Sequence, residues 1–252
     1  MTPRPIGSAA DRVRALLTVP VRDESSGYLD VLPPPETAQS LSLRMMQNPV
    51  FAEVYERAWR PVFTRLFSLG GTSTAAFDKQ LTARLSRPGD RKILDVACGP
   101  GNYTRRFGTG LDRAGLAVGL DFSAPMLGRA VLDNTGPQVA YVRGDAHALP
   151  FFDNTFDTVA CLAALYLITD PMAVIDELAR VVAPGGEVVV FTTVRTRLTS
   201  VPGTGLLNRA TGFRIFDRDE ITDRLAAAGL TDIEQTITGQ GQFVTARKPS
   251  DM

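Results

Sequence analysis

Three aspartates and one glycine turn carry the chemistry that this sequence can do. The turn is Gly99-Pro100-Gly101, inside the stretch from Ile93 to Thr104. Glycine permits a tight strand-to-helix reversal and lets a ligand come close to the backbone. The helix that follows points unpaired N–H groups at whatever lies over the turn. Asp95 stands just ahead of the turn. Asp121 follows the next apolar run, in Gly119-Leu120-Asp121-Phe122-Ser123, and Asp145 the one after that, in Gly144-Asp145-Ala146-His147. Asp121 falls about 20 residues beyond Gly101, where an acidic side chain accepts hydrogen bonds from ribose hydroxyls. Each aspartate alone would pass as a turn or cap residue. Three of them, each closing an apolar run around one glycine turn, can line a single crevice.

Two kinds of nucleotide compete for such a crevice. A dinucleotide turn calls for a third small residue that lets helix and strand pack closely. Here Thr104 stands at that place, with bulky Tyr103 beside it. Asp95 would also repel a pyrophosphate at close range. It suits a ligand that carries an ammonium group. An adenosyl compound with an amino-acid tail satisfies all three carboxylates, and S-adenosyl-L-methionine is such a compound.

The elements that must position these residues are legible from Arg91 onward. Short apolar runs at Lys92–Ala97, Leu116–Leu120, Gln138–Arg143, Thr158–Leu162 and Glu187–Thr192 read as buried strands. Helical patterns at about 102–113, 124–132 and 172–182 alternate with them. This order predicts an α/β fold with a parallel sheet, helices on both faces and right-handed crossovers. Ligands of such sheets sit beyond the carboxyl ends of the strands.

The four blocks Leu94–Gly101, Gly119–Leu127, Gly144–Phe151 and Leu178–Gly186 together resemble the class I S-adenosylmethionine-dependent methyltransferases, in the branch of the ubiquinone/menaquinone C-methyltransferases. The likeness covers about 92–192. Residues 213–248 resemble the family's last helix and closing hairpin less tightly. The resemblance implies a Rossmann-like, seven-stranded, mostly parallel sheet with an antiparallel final strand, and S-adenosyl-L-homocysteine as product. It implies that Asp95 and Gly99–Gly101 hold the methionine end, Asp121 the ribose, and Asp145 with the Ala146 amide the adenine. Ala97, Cys98, Tyr103, Phe122, Met126 and Gly144 would also bind the cofactor, with Leu162 facing it.

Ahead of this domain, residues 1–89 read as a mostly helical extension. Asp11 is placed to cap a helix over 11–17. Phe51, Tyr55, Trp59, Val62, Leu66 and Leu69 recur at helical spacing, Pro61 marks a kink or a second start, and 74–85 forms another amphipathic stretch. These helices either pack on the domain or form part of a lid over the substrate. A segment at about 194–216, bearing Leu206, Leu207 and Phe213, reads as a lid insertion. Tyr55, Trp59, Tyr166, Leu207 and Phe213 are the expected pocket residues, and the acceptor is expected to be hydrophobic or aromatic: a quinone, phenol, lipid or secondary metabolite. Tyr166 either touches that acceptor or packs beneath the lid. His147, the only histidine, is a weak candidate base beside the adenine site.

Composition narrows the class further. The 252 residues allow one sizeable α/β domain with additions. Lys+Arg and Asp+Glu number 27 each, and a net charge of zero argues against nucleic acid as the main partner. The segment 19–33 resembles the tail of the zinc ribbon found in some ribosomal-RNA guanine methyltransferases, but it holds no cysteine, so no metal is expected. An RNA base methyltransferase and a non-catalytic cofactor-binding module remain the alternatives. No apolar run reaches the length of a membrane span. A cytoplasmic monomer or homodimer is expected, with Cys98 and Cys161 as reduced thiols.

Overall fold

The computed structural model describes residues 7–33, 85–196 and 214–250. The helical face of 51–69, most of the 74–85 stretch, and Tyr55, Trp59, Leu206, Leu207 and Phe213 lie outside the described residues. The sheet has eight strands rather than seven: β1 (Leu29–Asp30), β2 (Lys92–Val96), β3 (Leu116–Asp121), β4 (Val139–Arg143), β5 (Phe156–Leu162), β6 (Val182–Thr193), β7 (Thr231–Thr238) and β8 (Gly241–Arg247). Their order is β1-β4-β3-β2-β5-β6-β8-β7. The first six run parallel, and β8 is antiparallel to both of its neighbours. The extra strand is β1, a two-residue edge from the N-terminal segment. It is too short to show any pattern in the sequence.

The central strands form because their apolar residues have two faces to bury. Leu94, Val96, Val118, Leu120, Val159 and Val190 pack on one side. Helices α1 (Ala9–Arg14), α4 (Pro171–Val181) and α5 (Glu220–Ala227) cover them there with Val13, Ile175, Leu178, Ile221 and Leu225. Ile93, Ala117, Tyr141, Ala160 and Val189 pack on the other side. They are covered by Phe107 of α2 (Asn102–Gly110) and by Leu127 and Ala130 of α3 (Ala124–Asp133). Burying each Leu- or Ile-sized side chain stabilises the fold by about 1.5–3 kcal/mol, which is why the buried part of β2, Ile93–Val96, holds only one polar residue, Asp95.

Two local expectations are corrected. Asp11 is not the N-cap of α1. Ser8 is, and Asp11 closes a capping box from the third helical position. Strand β6 starts at Val182 and runs through Pro184 and the two glycines. Gly185 adopts φ +75°, and the Gly185 amide and Gly186 carbonyl bond the backbone of Lys248. No helix among the described residues is long and apolar enough to cross a membrane.

The chain runs outward from β2 through β3 to β4, then returns to β5 on the other side of β2. The reversal of strand order therefore falls between β2 and β5. The carboxyl ends of both strands open at that point.

Candidate functional site

Asp95 sits at the carboxyl end of β2, only 2% exposed. The Thr104 hydroxyl, from the first turn of α2, donates to its Oδ2 at 2.6 Å. Burial pushes its pKa up to about 7, the Thr104 bond opposes the rise, and the charge of Asp121 adds to it. Among the described residues no Lys or Arg pairs with Asp95 or Asp121. A buried carboxylate without a cation is the feature that an ammonium-bearing ligand would complete.

Asp121, at the end of β3, holds the glycine turn. The Gly99 amide donates to its Oδ2 and the Ser123 amide to its Oδ1, each at 2.8 Å. An ionised carboxylate has about four acceptor positions, so these bonds do not exhaust its capacity to accept. Burial raises its pKa against these bonds.

The turn itself is built by close approach. Gly101 begins α2 in the left-handed region at φ +79°, with no side-chain cap. A Cβ there would lie 2.3 Å from the Tyr141 hydroxyl, and one on Gly119 would lie 2.7 Å from the Tyr141 ring. Tyr141 is buried beneath the turn and donates to the Asn134 carbonyl at 2.6 Å. The Asn134 amide in turn donates to the Pro100 carbonyl at 2.8 Å. Above Gly99 the space is open. Ala97, which follows β2, adopts φ +55°, and Ala163, which follows β5, adopts φ +57°.

One strand further out, the Gly144 amide donates to the Asp121 carbonyl at 3.1 Å. Asp145 Oδ1 accepts from the His147 amide at 2.9 Å and from His147 Nδ1 at 2.7 Å. His147 Nε2 faces the Thr169 carbonyl. With that geometry His147 orients Asp145 and leaves Oδ2 for a ligand. Ala146 is buried behind it. The loop after Asp145 is fixed to α4, since Glu177 accepts from the Leu149 amide at 2.6 Å and Arg180 donates to the carbonyls of Leu149 and Phe151.

The other expected residues are placed as follows. Phe122 is half-buried beside Arg143, whose guanidinium lies 5.9 Å from the ring centroid. Met126 is buried in α3, and Tyr103 stacks on Phe107 at 6.1 Å. Leu162 ends β5, 7% exposed. Tyr166 is 2% exposed, and its carbonyl accepts from the Arg214 amide at 2.9 Å. Cys98 and Cys161 are free thiols; burial pushes Cys98 well above its usual range and Cys161 up to about 12. Neither is poised as a nucleophile.

Sequence reasoning did not assign Thr104, Asn134, Tyr141 or Arg143 to the site. Register brings in two of them, with Gly119 opposite Tyr141 and Asp121 opposite Arg143, and helix packing brings in Thr104 and Asn134 through their bonds to Asp95 and Pro100.

The methyltransferase-domain family matches residues 94–190. An uncharacterised chloroplastic methyltransferase of Arabidopsis thaliana is 30% identical over 223 residues, covering 83% of this chain and 61% of that protein. A demethylmenaquinone methyltransferase of Shouchella clausii is 33% identical over 159 residues, covering 62% and 65%. The chain thus spans less than two thirds of the length of these curated relatives. In fold it is similar to Haemonchus contortus phosphoethanolamine N-methyltransferase 2 in complex with S-adenosyl-L-methionine. That match has a TM-score of 0.68 at 19% identity and covers 86% of this chain and 62% of the other. The matched span holds Asp95, Asp121 and Asp145 at three successive strand ends, and over it the chain is similar to the class I S-adenosylmethionine-dependent methyltransferases.

Proposed function

We propose that this protein transfers the methyl group of S-adenosyl-L-methionine to a small hydrophobic or aromatic acceptor, of which a quinone-type ring is the favoured example. The observation that carries the reading is Asp95, buried with no Lys or Arg paired to it among the described residues, beside an Asp121 whose two oxygens already hold the glycine turn. The demethylmenaquinone methyltransferase relatives support the quinone acceptor.

The cofactor supplies an electrophilic methyl on a good leaving group. The chain's own residues then have three tasks. Asp95 binds the amino-acid ammonium, Asp121 the ribose hydroxyls, and Asp145 with the Ala146 amide the adenine edge. Leu162 and the strained turn at Ala163 close the wall over the reacting end. Alignment and exclusion of water provide the rate, because an in-line displacement needs little else. The geometry gives His147 a positioning role, since both its ring nitrogens are engaged.

Specificity belongs to residues about 1–89 and 194–216, read as a lid that contributes Tyr55, Trp59, Leu207 and Phe213. The anchoring of that second segment supports this reading. Thr193 donates to the Arg214 carbonyl at 2.7 Å, the Arg195 amide to the Phe216 carbonyl at 2.7 Å, and the Arg214 amide to Tyr166. Its two ends therefore meet beside Tyr166.

Calorimetry with S-adenosyl-L-homocysteine tests the site: binding should be lost or weakened at least tenfold in Asp121→Ala, about what removing a charged hydrogen-bond partner costs. Unchanged affinity would refute the placement. Transfer of labelled methyl into the lipid, polar-metabolite and RNA fractions of a cell extract tests the acceptor. Label confined to RNA would overturn the small-molecule reading.

A further inference from the structure

The N-terminal segment lies outside the matched span 94–190, yet it reaches the adenosyl side of the site. Strand β1 pairs in parallel with β4, placing Asp30 beside Arg143. Backbone bonds lock it in place: the Arg22 amide donates to the Asp30 carbonyl at 2.8 Å, the Asp30 amide to Asp23 at 2.8 Å, and the Val31 amide to Arg143 at 3.1 Å. The side chains continue the connection. Arg143 Nη1 donates to Asp30 Oδ2 at 2.8 Å, with the two side chains only 16% and 17% exposed. Asp30 Oδ1 also accepts from the Leu32 amide at 3.0 Å, so the carboxylate is fixed from two sides.

Arg143 uses the rest of its fork on the site. Its Nε donates to the Phe122 carbonyl at 3.2 Å, and its guanidinium approaches the Phe122 ring. Phe122 is the residue between Asp121, whose oxygens bind the Gly99 and Ser123 amides, and Ser123, which caps α3. One guanidinium therefore bridges the N-terminal strand to the turn that carries the ribose carboxylate.

We infer that Asp30 is a positioning residue for the cofactor: through Arg143 it sets the orientation of the Asp121–Ser123 turn, and β1 is a working part of the adenosyl subsite. This rests on the placement of the adenosyl group at Asp121 proposed above. A pair that merely fastened β1 to the sheet edge would need only opposite charges. A pair that positions Phe122 needs the planar fork, because Lys cannot donate to Asp30 and to the Phe122 carbonyl in the same geometry.

The test uses the full-length chain, with S-adenosyl-L-homocysteine and 5′-methylthioadenosine as calorimetric probes and thermal melts run alongside. Asp30→Asn and Arg143→Lys should each weaken both probes by about threefold to tenfold, the range for a charged hydrogen bond felt through one neighbour. The loss should be equal for the two probes, because they share the adenosyl half. Arg143→Lys is the decisive variant, since it keeps the charge and the fold. Affinities within twofold of wild type for Arg143→Lys would overturn the inference, whatever the melting temperatures do. Asp121→Asn separates this from failure of the underlying site: if that variant also binds normally, the adenosyl group is elsewhere, whereas if it alone loses binding, only the role of Asp30 is wrong.

Discussion

Cofactor binding should release a proton, and the proton should come from Asp95. Without a ligand the carboxyl is buried, accepts one hydroxyl bond and is pushed up to about 7 from 3.8. Binding of a ligand ammonium favours the ionised form and pulls it back down. With a free-state pKa of about 7, about a tenth of the sites are ionised at pH 6 and about nine tenths at pH 8. Affinity for S-adenosyl-L-homocysteine should therefore fall about tenfold from pH 8 to pH 6, with close to one proton released at pH 6. Calorimetry in buffers of different ionisation enthalpy reads both quantities. The stability of the unliganded protein carries the opposite sign. A carboxyl whose folded pKa lies above its unfolded one favours folding at low pH, and that contribution is lost as pH rises from about 4 through 7. Asp121 is also pushed up by burial, so the two carboxyls titrate as a pair. Asp95→Asn should bind weakly at pH 8 and show little change down to pH 6. A flat wild-type profile, or a slope that survives in Asp95→Asn, would refute the assignment.

Three further outcomes follow from the same geometry. Burial alone would lower the His147 pKa, but the Thr169 carbonyl and the Asp145 carboxylate raise it above 6.5 overall. Its contribution to stability should thus be complete below about pH 6.5 and fade as pH rises through the folded value. The chain has one histidine, so a proton NMR titration reads it without assignment, and a value below 6.5 would be inconsistent with the bridge. Ala97→Gly should stabilise the protein by about 0.5 kcal/mol in urea melts, because relief of left-handed strain of about 1–2 kcal/mol exceeds the added freedom of the unfolded chain. Gly119→Ala puts a Cβ 2.7 Å from the Tyr141 ring and 2.9 Å from Cys98 Sγ. It should cost about 1–3 kcal/mol and displace the glycine turn, seen as weaker S-adenosyl-L-homocysteine binding; a fully native melt would show that Tyr141 does not support the turn.

Strands β2 to β5 were legible because each is a short apolar run with covered faces, a signal that local sequence carries. The start of β6 was not: Pro184, Gly185 and Gly186 precede the strand expected from Glu187, yet pairing with Lys248 keeps them in the sheet. Strand β1 has two residues, and only the partner β4 defines it. The same division runs through the site. Asp95, Asp121 and Asp145 announce themselves by following apolar runs around a glycine turn. Thr104 as the partner of Asp95, Tyr141 under Gly101 and Asn134 on Pro100 depend on which strands and helices become neighbours. Asp11 was misplaced by one step of the same motif, since either an aspartate or the serine before it can cap a helix and only geometry chooses.

The two rims of the sheet differ in a way that locates the site without reference to relatives. At the amino ends of β2 and β5 the polar groups are matched. Arg91 donates to Thr158 at 2.5 Å and lies 3.7 Å from Glu187, while the Lys92 amide donates to Asp157 at 2.7 Å. At the carboxyl ends, Ala97 and Ala163 hold left-handed turns and Asp95 is buried with no Lys or Arg paired to it among the described residues. Residues held in such conformations cost roughly 1–3 kcal/mol each and persist where the surroundings or a ligand require them. Asn154 and Asp232, near the amino ends of β5 and β7, also hold positive φ, but Asn and Asp enter that region at little cost, whereas the two alanines held there flank the reversal of strand order and mark a place kept ready for a partner. Hydrogen exchange should show this directly. S-adenosyl-L-homocysteine should slow exchange at the amides of Cys98, Gly99 and Ser123, bonded to Leu120 and Asp121, and leave those of Lys92 and Leu116 at the opposite rim unchanged. Equal protection at both rims would mean that the ligand stabilises the whole fold without favouring these turns, and the argument from strain would fail.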